Sequence, residues 1–282
     1  MPRLWLGVFV TPDAENTERT LAQIAAADEA GLDLVGLQDH PYQRRFHDTW
    51  TLLAFAAART ASVRLVPDVA NLPLRPPSVL AKAAASLDVL SGGRLELGLG
   101  AGAFWDAIVA MGGPRRSGPE SVDALEEAIA IMRAFWAGER NIRIDGRHYR
   151  VHGAHAGPVP AHPIGIWLGA YGPRMMRVTG RLADGWLPSV PRLPAEELDA
   201  RHAAIDEAAR QAGRDPSDVV RACNLNLSGE PSGWPDQVAR LQSEHRMEAF
   251  FLGAGDDGGD PVGLVRRFGE ETAPRARELV GA

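Results

Sequence analysis

Short, nearly unbroken apolar runs alternate along this chain with longer stretches whose apolar residues recur every three to four positions. Leu4 to Val10 is such a run, and the alanine-rich Thr17 to Ala30 behind it predicts a helix closed by Gly31. Leu34 to Leu37 begins a second unit, in which Asp48 suits the cap of a helix reaching about Arg59. Val63 to Ala70 gives a third strand, and Asn71 to Pro77 a proline-rich loop. Ser78 to Leu90 then predicts an amphipathic helix stopped by Ser-Gly-Gly, and Leu95 to Leu99 a fourth strand. Strands buried on both faces read as continuous rather than alternating apolar runs, so the sheet is expected to be parallel.

Glu120 to Ala137 predicts the longest helix, and Ile142 to Val151, turned at Asp145-Gly146, a hairpin. The alternation then resumes with strands at Ile164 to Leu168, Gly185 to Leu187, Val219 to Leu227 and Ala249 to Leu252. The helices between and after them are Pro173 to Leu182, Pro194 to Ala212, Trp234 to His245 and Asp260 to Val280. Eight strand–helix units predict an α/β fold, a (β/α)8 TIM barrel with a hairpin-like insertion after the fourth helix. Residues 1–282 then form a single domain. A doubly wound open sheet is the structural alternative.

Composition narrows the partners. Hydrophobic residues make up 45% of the chain and charged residues 23%, which is globular material with an ample core. The net charge of −6 is not gathered into like-charge runs, so neither nucleic acid nor a membrane surface is expected, and small molecules are the better partners. Cys223 is the only cysteine, no signal-like segment opens the chain, and no apolar stretch approaches the roughly 20 residues that span a bilayer. These features lead to a cytoplasmic expectation.

In such barrels the loops leaving the strands converge on one mouth. These are Gln38 to Arg45, Pro67 to Arg75, Gly98 to Arg116, Leu168 to Arg174, Trp186 to Arg192 and Asn224 to Gly229. Asp39-His40 puts a carboxylate beside an imidazole able to move a proton near neutrality, or else simply to tie the loop to the rim. Gly98-Leu99-Gly100-Ala101-Gly102 removes side chains where a planar ring or phosphate could approach backbone, though it is not the dinucleotide fingerprint. Gly169-Ala170-Tyr171-Gly172-Pro173-Arg174 opens a helix, so its free amides suit a phosphate, or form only a tight turn. Tyr42, Trp105, Trp186 and Tyr171 are candidate walls of an apolar pocket.

Several chemistries find no support. Cys223 lies in an apolar strand and is assigned no role. His152, His155 and His162 lie in a proline- and glycine-rich stretch without a compact ligand framework, so no metal is expected. No Gly-x-Ser-x-Gly elbow occurs, which disfavours a serine hydrolase.

Taken together, several ordered segments resemble the luciferase-like flavin-dependent oxidoreductases. They are residues 26–33 (AADEAGLD), Gln38-Asp39-His40, residues 87–94 (LDVLSGGR), Gly98 to Gly102, Leu168 to Arg174 and Ala183-Asp184-Gly185-Trp186. The resemblance is clear over residues 3–190 and looser beyond. It implies a (β/α)8 barrel, a reduced FMN or deazaflavin coenzyme and a homodimer. His40 looks like the family's active-site histidine, with Asp39 beside it. Gly169, Ala170, Tyr171, Gly172, Pro173 and Arg174 look like its coenzyme-phosphate loop, and Gly100, Ala101 and Gly102 are assigned to the coenzyme with them. Asp68, Val69 and Asn71 are similar to the bulge, in some members a non-prolyl cis peptide, that backs the tricyclic ring.

Ala103 stands where the family's sugar-phosphate dehydrogenases have an acidic residue, which argues against glucose-6-phosphate oxidation. The Asp39-His40 pair resembles the branch that uses the deazaflavin coenzyme F420. The leading expectation is hydride transfer between F420 and a small apolar organic substrate. An FMN-dependent monooxygenase and a non-catalytic flavin-binding barrel are the rivals. For an anionic coenzyme tail, Arg44, Arg45, Arg75, Arg115, Arg116 and Arg174 are expected to form a basic rim on this acidic protein.

Overall fold

The computed structural model describes residues 4–189, 193, 197–227, 230–253 and 259–282. The tails of the two loops predicted up to Arg192 and Gly229, and the start of the helix predicted from Pro194, lie outside the described residues.

The chain opens with strand β1 (Trp5–Val10), helix α1 (Thr17–Glu29), β2 (Leu34–Leu37) and α2 (Thr49–Ala57). Gly31, at φ +69°, takes the left-handed conformation that ends α1, and the Asp48 carboxylate caps α2 by accepting from the Thr51 N–H at 2.9 Å. The third strand is broken where one run was expected. It comprises β3 (Arg64–Pro67) and β4 (Ala70–Asn71), separated by a cis peptide between Asp68 and Val69. Helix α3 (Pro77–Ser91) starts on prolines and ends at Gly92 with φ +72°. Strand β5 (Leu97–Gly100) follows, then a short helix, α4 (Trp105–Ala110), that the periodicity did not reveal.

Helix α5 (Gly118–Trp136) begins at a capping box in which the Ser117 and Glu120 side chains each bond the other's backbone. The hairpin is present as antiparallel β6 (Ile142–Asp145) and β7 (Arg150–Ala154). Glu127 of α5 pins its turn by accepting from the N–H groups of Arg147, His148 and Tyr149. The repeat continues through β8 (Ile166–Leu168), α6 (Pro173–Leu182), β9 (Gly185–Trp186), α7 (Leu198–Gln211), β10 (Val220–Leu225), α8 (Trp234–His245) and β11 (Ala249–Gly253). The expected last helix is present and unbroken from Pro261 to Val280: α9 (Pro261–Arg267) passes through a π-helical turn at Phe268–Thr272 into α10 (Ala273–Val280).

The strands form one sheet in the order β3-β2-β1-β11-β10-β9-β8-β5-β4, and every pairing in it is parallel. Since β3 and β4 are halves of one broken strand, the ring closes on itself. Leu65 bridges Leu95, its N–H donating to the Arg94 carbonyl at 2.7 Å and its carbonyl accepting from Glu96 N–H. Closure leaves eight positions round a barrel and excludes the open doubly wound sheet.

Two apolar layers follow from the two-residue alternation of the strands. Leu6, Val8, Val35, Leu37, Leu65, Leu97 and Leu99 join the helices in the outer core. Leu34, Val66, Trp167, Ala222, Ala249 and Phe251 fill the barrel interior, with Trp5 stacked on Trp167 at 5.7 Å. Those large rings fit because a glycine faces them. A Cβ on Gly185 would stand 2.6 Å from the Trp167 indole, and one on Gly36 would stand 2.9 Å from the Phe251 ring. The interior is therefore solid up to the level of Asp68, and any ligand must sit above it.

Candidate active site

The carboxyl ends of the strands enclose a cavity of about 690 Å³, within the size range of small-molecule sites. Its lining brings together most of the residues singled out by sequence. Asp39, His40, Tyr42, Asp68, Val69, Asn71, Gly100, Ala101, Gly102 and the whole stretch Gly169 to Arg174 line it. Phe9, Gln38, Ala103, Phe104, Leu187 and Asn224 are added by the fold.

His40 stands at the end of β2 among aromatic rings. It stacks on Tyr42 at 5.2 Å and meets the edge of Phe104 at 5.4 Å. Gln38 Nε2 lies 2.9 Å from His40 Nδ1. An amide nitrogen only donates, so the neutral ring accepts at Nδ1 and carries its proton on Nε2. Burial, with the nearby Asp39 charge, pushes the Tyr42 phenol up to about 12, so this wall stays protonated at neutral pH.

Asp39 does something other than expected. It is 1% exposed, and its carboxylate accepts from Arg75 Nε and Nη2, both at 2.8 Å, and from the Asn71 N–H at 2.9 Å. In extended backbone, successive side chains point to opposite sides. Gln38 and His40 therefore share a side while Asp39 faces away into Arg75, which also grips Asp48. The catalytic assignment of Asp39 is corrected: its oxygens are occupied in holding the β2 loop against β4.

Two substrate-wall assignments are also corrected. Trp186 is fully buried in the outer core, its ring edge-on to His202 of α7 at 5.2 Å and its indole N–H donating to the Ala170 carbonyl at 2.9 Å. The alternation on β9 turns Trp186 outward and hands the mouth to Leu187. Trp105 packs beneath Gly102, whose Cβ would stand 2.8 Å from the indole, and Phe104, 46% exposed, takes the wall instead.

The glycine run has a nearer reason than a ligand. A Cβ on Gly100 would stand 2.8 Å from Val69 Cγ2, and one on Gly98 would meet the Pro67 carbonyl at 2.2 Å and Val69 Cγ1 at 3.1 Å. Gly169 is similarly close to Val69, at 3.1 Å. These glycines make room for the Val69 bulge, which projects into the floor of the cavity. Gly172 differs, since nothing lies within 4 Å of a Cβ there. It is the N-cap of α6, so amides of the first turn and the positive end of the helix face open space.

The expected basic rim is largely neutralised within the chain. Arg45 pairs with Asp13 and Glu15, Arg75 with Asp39 and Asp48, and Arg115 with Asp106. Arg174 pairs with Asp123 and Glu126, and Arg116 lies over the Tyr149 ring. Arg44 is exposed. Of these six, only Arg174 borders the cavity.

The floor carries the least expected chemistry. Asp68 and Asn71 are each 7% exposed, and Asn224 Nδ2 donates to Asp68 Oδ1 at 3.1 Å. Asp68 Oδ2, Asn71 Oδ1 and Asn224 Oδ1 are buried with no hydrogen-bond partner, and among the described residues they are the only buried side-chain oxygens in that condition. Burial pushes the Asp68 carboxyl up to about 7, although the Asn224 hydrogen bond opposes the shift. Gln38, Phe104 and Asn224 were missed as site residues. Counting every second residue at the strand ends would have found Gln38.

No grouping of His, Cys, Asp and Glu among the described residues has the makings of a metal site, and no described helix is long and apolar enough to cross a membrane. Cys223 is buried in the outer core, and burial raises its thiol far above neutrality.

Comparison with known proteins gives a consistent picture. The model of the luciferase-like monooxygenase family matches residues 6–254. The chain is 33% identical to an F420-dependent glucose-6-phosphate dehydrogenase of Intrasporangium calvum over 212 residues, 72% of this chain and 63% of that protein. The chain thus spans less than two thirds of the length of that relative. Among solved structures it is similar to an F420-dependent secondary alcohol dehydrogenase holding an F420-acetone adduct. The TM-score is 0.82 at 19% identity, covering 98% of this chain and 99% of the other. A monooxygenase from Streptomyces bottropensis matches equally well in fold, with TM-score 0.83 at 22% identity over 96% and 99%.

Proposed function

Because the chain belongs to the luciferase-like monooxygenase family, we propose that it is an oxidoreductase that uses coenzyme F420 to exchange a hydride with a small apolar organic substrate, residues 1–282 acting as one barrel domain. The observation that carries this reading is the cavity's division into two ends. Open amides at Gly172 and the first turn of α6 suit a phosphate, while the Val69 bulge and the unpartnered oxygens of Asp68, Asn71 and Asn224 suit a planar ring with polar edges. The relative that names F420 supports the choice of deazaflavin over FMN.

When bound, the deazaflavin ring supplies a carbon that carries hydride. The rest falls to the chain. Val69, with Gly98, Gly100 and Gly169 around it, gives the ring a shaped apolar backing. His40, held by Gln38 at Nδ1, lines the cavity as the group able to move a proton to or from a substrate oxygen. Tyr42, Phe104 and Leu187 exclude water from the reacting region and make it receptive to an apolar substrate. Ala103 leaves no carboxylate in the position suited to a sugar, so glucose-6-phosphate is disfavoured as substrate although it is named for the relative.

The chain is further proposed to work as a cytoplasmic homodimer. Phe55 of α2 and Val79 and Leu90 of α3 are exposed, Leu90 to 82%, on neighbouring helices, a face suited to a second copy.

An FMN-dependent monooxygenase is the second reading, favoured by the equal likeness to the monooxygenase structure. Titration of the apoprotein with each coenzyme, followed by anaerobic and aerobic turnover of secondary alcohols and ketones, decides between them. The expected outcome is tighter binding of F420 and turnover that needs no oxygen. Tighter binding of FMN, with reduced flavin consuming oxygen in proportion to oxygenated product, replaces the deazaflavin reading.

A further inference from the structure

The two ends of the cavity are chemically opposite, and the floor has an ionisable group at its centre. At α6 the backbone offers hydrogen-bond donors. On the floor, Asp68 Oδ2, Asn71 Oδ1 and Asn224 Oδ1 are buried without a partner. The Asn224 amide is oriented by one N–H of Nδ2 donating to Asp68 Oδ1, which turns Oδ1 to the other side. A buried acceptor without a donor is costly, so this floor calls for a ligand that brings N–H or O–H groups. With Asp68 ionised, it repels a phosphate.

We propose that Asp68 is the proton-linked anchor of this site: as the coenzyme ring binds, the carboxylic acid gives its proton to bulk water and the carboxylate oxygen accepts a hydrogen bond from a ring N–H. The inference rests on the coenzyme reading above and adds to it a residue, a bond type and a direction. A ligand with an anionic tail and an N–H-bearing planar ring would satisfy both ends at once, tail at α6 and ring edge on the floor.

The surroundings leave Asp68 as the group that titrates there. Strands β1, β2, β4, β5, β8, β9 and β11 carry no charged side chain. On β3 the charged residue is Arg64, at the opposite end beside Glu96 and Trp5. On β10, Arg221 is turned outward to Asp206 and His202, and the Cys223 thiol stays protonated. Asp39 is neutralised by Arg75. His40 is the other titratable side chain at this level. With burial holding the Asp68 carboxyl at about 7, proton loss falls in the physiological range.

The sign follows from linkage. The ionised form binds, so affinity rises with pH until Asp68 is fully deprotonated. A one-proton linkage with a midpoint near 7 makes binding about tenfold tighter at pH 8 than at pH 6. The test is the pH profile of the dissociation constants of oxidised F420 and oxidised FMN, read by fluorescence, for the native protein and Asp68→Asn. Calorimetry near pH 7 in two buffers of different ionisation enthalpy counts the protons released.

Both proteins keep His40 and are titrated with the same coenzymes, so the difference between the two profiles is assigned to position 68. Loss of the tenfold dependence and of proton release in Asp68→Asn supports the proposal. An unchanged profile, or tightening toward low pH in the native protein, overturns it while leaving the coenzyme reading intact. Failure of both ring ligands to bind overturns both. Should Asp68→Asn not fold, infrared difference spectra of the native protein labelled with 13C-aspartate decide the matter. The protonated carboxyl band disappears on binding if Asp68 is the anchor and persists if it is not.

Discussion

The two ends of this barrel treat buried polar groups in opposite ways. At the amino ends of the strands, Asp88, Arg94 and Asp184 are richly hydrogen-bonded. Asp88, fully buried, accepts from the N–H groups of Leu95, Ala161 and His162 and from the His162 ring. Arg94 donates to the carbonyls of Ala57, Thr60, Val63 and Ser91 and to the Thr60 hydroxyl. Asp184 accepts from the Ile166 N–H and from Arg133. At the carboxyl ends, Asp68, Asn71 and Asn224 each keep a buried oxygen unpaired. The saturated end gains cohesion from its polar groups, and the unsaturated end forgoes some of it to keep ligand-binding capacity. The conspicuous Leu-Asp-x-Leu-Ser-Gly-Gly-Arg block, which carries much of the family resemblance, belongs to the first kind. It folds the barrel and touches no part of the cavity.

This contrast can be broken from either end. The largest expected effect is at the saturated end. Asp88→Ala strips one carboxylate from several donors and leaves them buried and unmet, at a cost of about 3–5 kcal/mol, measured by denaturant unfolding. The folded fraction should still bind coenzyme with native affinity, and a large loss of affinity per folded molecule would end the division of labour. At the mouth, His40→Ala should lower turnover about 10²-fold with the melting temperature almost unchanged. A variant with normal rates would reduce His40 to a rim contact.

The smallest effect concerns His162, whose imidazolium is favoured chiefly by its hydrogen bond to Glu96 and by the Asp88 charge, against burial, so that its pKa is raised. A raised pKa in the folded state adds stability that is fully present below the unfolded value of about 6.5 and is lost as pH rises through the folded value. His162→Asn should flatten stability between pH 6 and pH 8 by a modest amount, because the ring is partly exposed. Coenzyme affinity should not follow. A native slope retained in the variant would assign that pH dependence elsewhere.

Much of the fold was legible in the chain because each strand is a short apolar run and each helix carries its own punctuation. Gly31, Asp48, Gly92 and the Ser117–Glu120 box act within a few residues of where they stand, and the hairpin turn at Asp145-Gly146 is equally local. The break at Asp68-Val69 was anticipated only through family resemblance, since nothing local in that apolar run marks it. The π-helical turn inside the last helix and the short α4 escaped because each is too short to register in the periodicity.

The candidate site was legible as a set of loops but not as a set of contacts. Sequence order put Asp39 next to His40 and so suggested a working pair. The tertiary structure separated them, because extended backbone turns neighbours to opposite sides and Arg75, 36 residues away, claims the carboxylate. Likewise Trp186 was on the right strand but faced the helices, and Arg45, Arg75 and Arg174 were at the right end but had met carboxylates from distant segments. Local rules of strand, cap and turn act through neighbouring residues, so the sequence by itself determined the alternation of elements and the end of the barrel where chemistry belongs. Which side chains remain available for that chemistry depends on what lies opposite each of them after the barrel closes. Only the tertiary structure decided that Asp39 is occupied and that Asp68, Asn71 and Asn224 are left with unpartnered oxygens.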